Sequence, residues 1–275
     1  MLQVSWSALA ALLLLLAVCF VLPLGLFGVL FKLAGGRLKT CGIGAGAYFL
    51  GGFVVEMLLL ASIGALTDMT RNVPVYLLYS LLVSPAIFMA VNFFVMRKFA
   101  EKDLNSTGDA MMYSVGYSGL QNLLTTGFVA LMYFVTLWSI KSHGGGYVVV
   151  SESDYVSYSN LVSSSNLVTD TIYEQMQELC SRPASYFLTL CLDRLWVIAV
   201  YAALLLVVWL AVKKTNKLPI LGIAYGMRLL VGLPTVLSDL HVISNPWISA
   251  AMVVLISVVE WVAAIFCWKR HIDEN

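Results

Sequence analysis

The stretch from Leu195 to Val212 decides the fold class, because it reads LWVIAVYAALLLVVWLAV and contains no charged residue. A helix needs about 20 predominantly apolar residues to cross the hydrocarbon core of a bilayer. The stretch belongs to a longer apolar segment, Ser185–Val212. Its apolar residues are continuous instead of alternating with polar ones, which excludes a strand of a transmembrane barrel. The segment therefore predicts a transmembrane helix.

Six further segments have the same character and predict further spans. They are Ser5–Phe31, Gly42–Leu66, Val73–Met96, Asp109–Ile140, Leu218–Ser238 and Pro246–Trp268. The composition agrees, since 60% of the 275 residues are hydrophobic and only 11% are charged. These values exclude a soluble enzyme and a disordered chain, and the net charge of +1 gives no basic field for nucleic acid. We predict an all-α, polytopic membrane bundle of about seven transmembrane helices, forming a single transmembrane domain over residues 1–275.

Basic residues mark every second connection between the spans and so predict the orientation. The basic connections and tail contain Lys32, Arg37 and Lys39, then Arg97, Lys98 and Lys102, then Lys213, Lys214 and Lys217, then Lys269 and Arg270. Connections rich in Lys and Arg stay in the cytoplasm. We therefore expect a protein of the cell membrane with its N-terminus outside and its C-terminus inside.

The segment 139–185 is the one long connection, and we expect it to be extracytoplasmic. Thr171 and Glu174 fit a capping box. Three apolar residues of the same stretch share one helical face: Ile172, Met176 and Leu179. Two interpretations are open for this short amphipathic helix. It lies on the bilayer or the bundle, which we favour, or it forms a lid over a ligand.

Charged residues inside the spans are rare and face the interior of a bundle or a cavity. Here they are Glu56, Asp193, Arg194, Arg228 and Glu260. A lone Arg228 at this depth needs a carboxylate or water, so we expect Arg228 within ion-pair reach of Glu56 or Glu260. A structural ion pair is the favoured interpretation, and a substrate or proton pathway is the alternative.

The fourth segment carries a polar stripe with four-residue spacing: Tyr113, Tyr117, Gln121 and Thr125. A packing seam explains the stripe, with a binding cleft as the alternative. Gly116 and Gly119 in the same segment favour close contact between helices. The glycine-rich run Gly42–Gly46 predicts close packing as well, because no Gly-Lys-Ser/Thr follows it to form a nucleotide loop.

The stripe carries a resemblance to the YhfC family of intramembrane metalloproteases of bacterial membranes. The family pattern is Asp-Ala, a few residues, then Gly-His-Gly-Gly, a hydrophobic residue and Glu. This chain has Asp109-Ala110 followed by Gly116-Tyr117-Ser118-Gly119-Leu120-Gln121. The frame is similar, but Tyr117 stands in place of the His and Gln121 in place of the Glu.

The later spans resemble the family in the same way. Asp193-Arg194 matches an acidic-Arg pair, and Tyr201 and Tyr225 stand where two further His would be, with Leu229 in place of an Asp. The family's Glu-Glu-x-x-Arg falls on non-ionisable residues, namely Met89, Ala90 and Phe93. A metalloprotease needs His ligands and a carboxylate that activates water. The three histidines here lie outside the spans: His143, His241 and His271.

The resemblance therefore implies a retained scaffold that has lost its metal site. We expect no metal, no cofactor and no catalytic residue. The expected polar cleft consists of Tyr117, Gln121, Tyr201 and Tyr225, with the tyrosines converging on one place. The expected partners are the lipid bilayer and another membrane protein or a peptide, and not nucleic acid.

Three functions are open at this point. The first is a catalytically silent relative of the peptidases that acts as a binding or partner scaffold. The second is an active peptidase with unorthodox residues such as Glu56, Asp193 and Glu260. The third is a small transporter component that uses Glu56, Arg228 and Glu260, although the chain shows no internal repeat that would favour it.

Overall fold

The computed structural model describes residues 4–66, 72–99, 102–142, 178–213, 218–243 and 245–273. Within these ranges seven helices are long and apolar enough to cross a membrane. They are α1 (Trp6–Leu33), α2 (Leu38–Gly64), α3 (Val73–Phe99), α4 (Thr107–Ser142), α5 (Ala184–Lys213), α6 (Leu218–Asp239) and α7 (Pro246–Lys269). No strand occurs in this part of the chain. The predicted all-α membrane bundle is confirmed, and its segments agree with these helices within a few residues.

Most of the predicted segment 139–185 lies outside the described residues, including Thr171 and Glu174. Helix α4 continues to Ser142 and α5 begins at Ala184, so both helices extend slightly into the range assigned to the connection. The orientation of the termini stays a prediction.

Helix α5 forms the centre of the bundle. In its most apolar window 72% of the residues are buried, against 22% to 33% in the other six helices. It packs against α1, α3, α4, α6 and α7, and every residue from Ala203 to Ala211 is buried. A helix that is apolar on all sides has no face to present to water. The charge-free stretch therefore takes the position with the most protein neighbours, while the other helices expose apolar side chains such as Leu24, Leu58 and Phe266 to lipid.

Glycines set the close crossing of α2 and α4. A methyl group on Gly44 would lie 2.0 Å from the Tyr113 carbonyl oxygen, and one on Gly116 would lie 2.0 Å from the Cys41 carbonyl oxygen. The two backbones touch because both positions lack a side chain. The predicted packing role of Gly116 is thus confirmed. In the run Gly42–Gly46 only the central Gly44 makes such a contact, since Gly42 and Gly46 have no neighbour within 4 Å.

Arg37 holds the connection between α3 and α4 against the start of α2. Its Nε and Nη2 donate to the two oxygens of Asp109 at 3.1 and 3.0 Å, and its guanidinium also donates to the carbonyls of Lys102 and Asp103. The hydrogen bond to Asp109 raises the pKa of Arg37 above its ordinary value. Asp109 also forms a capping box with Ser106 at the start of α4. The Asp109-Ala110 motif therefore has a structural role here.

Each of the first four helices contains a π-helical segment that the sequence did not predict. These segments are Ala17–Val21, Tyr48–Val55, Tyr79–Val83 and Leu123–Gly127. Such interruptions are frequent at functional sites because they re-aim the side chains around them. Two of them border the polar interior of this bundle, since one contains Ser80 and another begins directly after Asn122.

Candidate functional site

An aromatic cluster lies where α2, α3, α4 and α5 meet. The rings of Tyr117 and Tyr201 have centroids 5.5 Å apart, and Phe88 lies 5.4 Å from the first and 5.6 Å from the second. Tyr48 packs edge-on against Tyr117 at 5.3 Å. All four side chains are buried. Two of the three positions where the resembled family would have His are therefore neighbours in space.

Gln121 joins this cluster and the Tyr225 hydroxyl lies elsewhere. The Gln121 Nε2 donates to the Tyr201 hydroxyl at 3.2 Å, one turn along α4 from Tyr117. The Tyr225 hydroxyl donates instead to the Leu82 carbonyl at 3.2 Å. Leu82 belongs to the π-helical segment of α3, so α6 directs Tyr225 towards α3 and not towards the other tyrosines.

Arg228 stacks on the aromatic cluster without forming the expected direct ion pair. Its Cζ lies 5.4 Å from the Phe88 ring centroid and 5.9 Å from that of Tyr201. Aromatic faces attract a cation, and the weakly hydrated guanidinium suits this arrangement. Among the described residues no carboxylate lies within 4.0 Å of Arg228. The prediction of an ion pair with Glu56 or Glu260 is therefore wrong at contact distance, because the rings occupy the place of a carboxylate.

The two carboxyl groups that were expected to pair with Arg228 lie in different surroundings. Glu56 accepts a hydrogen bond from the Ser84 hydroxyl at 2.9 Å, which links α2 to α3. Glu260 is fully buried, and neither of its oxygens has a hydrogen-bond partner in the part of the chain that the structure describes. Ser257, one turn before it on α7, is equally buried and unpartnered. Both carboxylates attract Arg228 only at longer range.

Asp193 and Arg194 pair with each other near the start of α5. Their closest oxygen and nitrogen are 3.0 Å apart. The Arg194 backbone carbonyl accepts from Asn122 at 3.0 Å, and its guanidinium lies 3.4 Å from the Thr125 hydroxyl. These contacts fix α5 against the polar half of α4, which explains part of the polar stripe as a seam between helices.

A cavity of about 230 Å³ lies between α3, α4, α5, α6 and α7. Its polar lining consists of Tyr76, Ser80, Gln121, Asp193, Arg194, Tyr201, Arg228 and Thr235. Valines and an isoleucine complete the wall. At one end the Tyr76 hydroxyl donates to the Asp239 carboxylate and so ties α3 to α6. The stripe on α4 is therefore partly a seam and partly the wall of a cleft.

Sequence reasoning missed Tyr76, Ser80 and Phe88. Tyr76 and Ser80 line the cavity, and with Ser84 they follow a four-residue spacing that could have indicated a second polar stripe on α3. Phe88 continues the same spacing but is apolar, and nothing in the sequence distinguishes it from the other aromatic residues of its span.

The residues around the cavity do not fit a metal ion. Within the described ranges no three His, Cys, Asp or Glu side chains are grouped so that they could hold one. The central donors are two phenols and an amide, which are poor ligands for zinc, and Arg228 adds a fixed positive charge beside them. His241 lies beyond the end of α6, at a backbone φ of 57°. His143 lies outside the described residues.

Comparison with known proteins identifies the family of the chain. No curated protein matches the chain, and no solved structure does. The family model described as YhfC intramembrane metalloprotease matches residues 18–254, which covers every span in whole or in part. The matched range includes most of the chain, and the described residues form seven helices that could cross a membrane. This chain therefore belongs to the YhfC intramembrane metalloprotease family.

Proposed function

We propose that this chain is a catalytically silent member of its family, a membrane scaffold whose cavity binds part of a peptide or of another membrane protein. The single observation that carries the proposal is the Arg228 guanidinium stacked on Tyr201, 5.9 Å from its ring centroid. Tyr201 occupies one of the positions that would supply a metal ligand. A fixed cation therefore lies beside a side chain that, on the resemblance, would supply a metal ligand.

Electrostatics makes this arrangement unsuitable for a metal. A divalent ion about 6 Å from a guanidinium would be repelled by about 5 kcal/mol at an effective dielectric constant of about 20. His and carboxylate ligands would offset such a repulsion, but Tyr117, Gln121 and Tyr201 are neutral groups. The alternative of a peptidase built on Glu56, Asp193 and Glu260 gains no support either, because within the described residues these carboxyl groups are not grouped so that they could hold a metal ion.

The cavity itself supports a binding role. A site that had lost all use could close by substitution to larger apolar residues, whereas here a polar wall surrounds about 230 Å³. Cavities with a few placed polar groups in an otherwise apolar lining are the usual form of ligand sites.

Metal analysis of the purified full-length protein in mild detergent tests the proposal. We expect no stoichiometric zinc, no change in thermal melting on addition of a chelator, and no cleavage of membrane-protein substrates. The matched variants are Tyr117→Phe and Tyr201→Phe, which remove only the two hydroxyls. One equivalent of zinc that disappears in either variant would contradict the proposal, and so would cleavage that a chelator abolishes.

A further inference from the structure

Arg228 presents unused hydrogen-bond donors to the cavity. In the described part of the chain it donates no hydrogen bond, and its contacts are the faces of Phe88 and Tyr201. Its Nε is buried without a partner. The terminal nitrogens are not buried in this way, so they keep accessible surface at the cavity that Arg228 lines. Buried donors of this kind normally find an acceptor.

The charges of the cavity wall do not balance. The wall contains the guanidiniums of Arg194 and Arg228 and one carboxylate, that of Asp193. Asp193 is already paired with Arg194 at 3.0 Å, so Arg228 is the cation that remains. Glu56 and Glu260 are not part of the wall. Glu56 and Glu260 attract Arg228 only at longer range, so within the described residues the wall offers a ligand one cation that no carboxylate meets at contact distance.

Gln121, which also lines the cavity, requires a hydrogen-bond donor from the ligand. Its Nε2 donates to the Tyr201 hydroxyl at 3.2 Å, while its Oε1 is buried without a donor. Gln121 and Arg228 both line the cavity and both contact Tyr201. A ligand that satisfies both must combine an anionic oxygen with a nearby N–H or O–H donor.

The volume limits the size of this ligand. At about 30 Å³ per water molecule the cavity has room for about seven waters, whereas a helix with its side chains is about 10–12 Å across. The cavity thus admits the end of a chain and not a whole membrane helix.

We propose that the cavity binds the C-terminal carboxylate of a peptide chain, with Arg228 donating to the carboxylate and Gln121 accepting from the last amide N–H. This proposal rests on the proposed binding role and specifies its ligand. A fatty acid would supply the carboxylate but would leave the Gln121 oxygen unpartnered. Inorganic phosphate has an O–H at neutral pH that can donate to Gln121, so a direct comparison of the two ligands decides between phosphate and a peptide terminus.

Binding of a small probe to the purified full-length protein in nanodiscs tests the inference. The probe is N-acetyl-alanyl-leucine with a free carboxylate, compared with its C-terminal amide, with octanoate and with phosphate. We expect the acid to bind at least tenfold more tightly than the amide, since a hydrogen bond to a charged group contributes about 1.5–3 kcal/mol. We expect Arg228→Gln to weaken the binding of the peptide acid by at least tenfold. The control, Arg97→Gln, removes an exposed arginine at the other end of α3 and should change nothing.

Several outcomes would overturn the inference. Equal affinities for acid and amide exclude carboxylate recognition, and unchanged binding in Arg228→Gln excludes Arg228. Octanoate or phosphate bound as tightly as the peptide acid excludes a peptide terminus as the ligand. If Arg228→Gln does not fold, Arg228→Lys keeps the charge without the planar fork, and weaker binding of the acid is expected. Mass spectrometry of the recovered probe separates the two proposals: cleavage contradicts the silent scaffold, whereas absent binding without cleavage contradicts the ligand alone.

Discussion

At the scale of single residues, the tyrosines at the centre of the bundle differ in chemistry from the histidines that the resemblance would place there. A tyrosine keeps a hydroxyl for the polar interior and an aromatic face for a cation. Tyr201 uses both, since its hydroxyl accepts from Gln121 and its ring lies under Arg228. At the position where the resemblance would place a His, the Tyr201 ring thus stabilises a positive charge.

Replacing Tyr201 by Phe tests the hydroxyl separately from the ring. We expect the variant to fold and to lose about 1 kcal/mol of stability, because the Gln121 Nε2 loses its acceptor while the contact with Arg228 remains. Thermal melting in detergent measures the change. Tyr225→Phe, which removes a hydrogen bond to a backbone carbonyl on α3, is the matched control, since its melting gives the effect of losing a tyrosine hydroxyl that is not bonded to Gln121. Unchanged melting of Tyr201→Phe would mean that the Gln121 bond contributes nothing.

At the scale of helices, the crossing of α2 and α4 positions Tyr117 in the aromatic cluster and Gln121 at the cavity. The crossing depends on glycines that allow the backbones to touch, as the carbonyl oxygens facing Gly44 and Gly116 show. Any side chain at these positions must push the two helices apart. Such a displacement would also move the polar stripe of α4 away from α5.

The variants Gly44→Ala and Gly46→Ala distinguish packing from helix propensity. Both gain the same methyl group, but Gly44 faces a carbonyl at 2.0 Å and Gly46 has no neighbour within 4 Å. We expect Gly44→Ala to lose more than about 3 kcal/mol, beyond the usual cost of overpacking, and to lower the yield of folded protein. Gly46→Ala should retain the wild-type yield and melting. Equal behaviour of the two variants would contradict the crossing.

How far the sequence predicts this structure differs between elements. The central place of α5 follows from its charge-free stretch, and the glycines indicate the crossing of α2 and α4. The π-helical segments could not be foreseen, because no residue type marks a single extra residue in a turn. Tyr225 donates to Leu82 in one of them, and not to the groups beside which the family resemblance placed its hydroxyl. Arg228 was expected to find a carboxylate, and the sequence does not show that aromatic faces would serve instead.

For the whole molecule, the distribution of basic residues predicts the orientation of the bundle in the membrane. Arg37, Arg97, Lys98 and Lys213 all lie at the same end, where the odd-numbered connections run. Connections that are rich in Lys and Arg remain in the cytoplasm. The polar cavity lies nearer the other end, since Tyr76 and Asp193 line it within the first turns of α3 and the first half of α5.

Reporter fusion and cysteine labelling test this orientation. A reporter fused after Asn275 should behave as cytoplasmic, and a cysteine replacing Gly145 should react with an impermeant reagent added outside the cell. A variant with the five native cysteines removed provides the background, and a cysteine replacing Lys102 should stay protected until the membrane is opened. Labelling of the Lys102 position from outside would show that the orientation is the reverse of the predicted one.

The buried position of α5 has a consequence for how the bundle assembles. Lipid tails are as apolar as the Leu and Val side chains of this helix, so burying it in protein brings no hydrophobic gain over leaving it in the bilayer. During synthesis α5 can therefore reside stably among lipids before α6 and α7 emerge. What draws the helices together must then be close backbone contact and the satisfaction of polar groups, which are the glycine crossing and the contacts of Arg194, Gln121 and Arg228. The few polar residues that mark the cavity thus also determine when the bundle becomes complete.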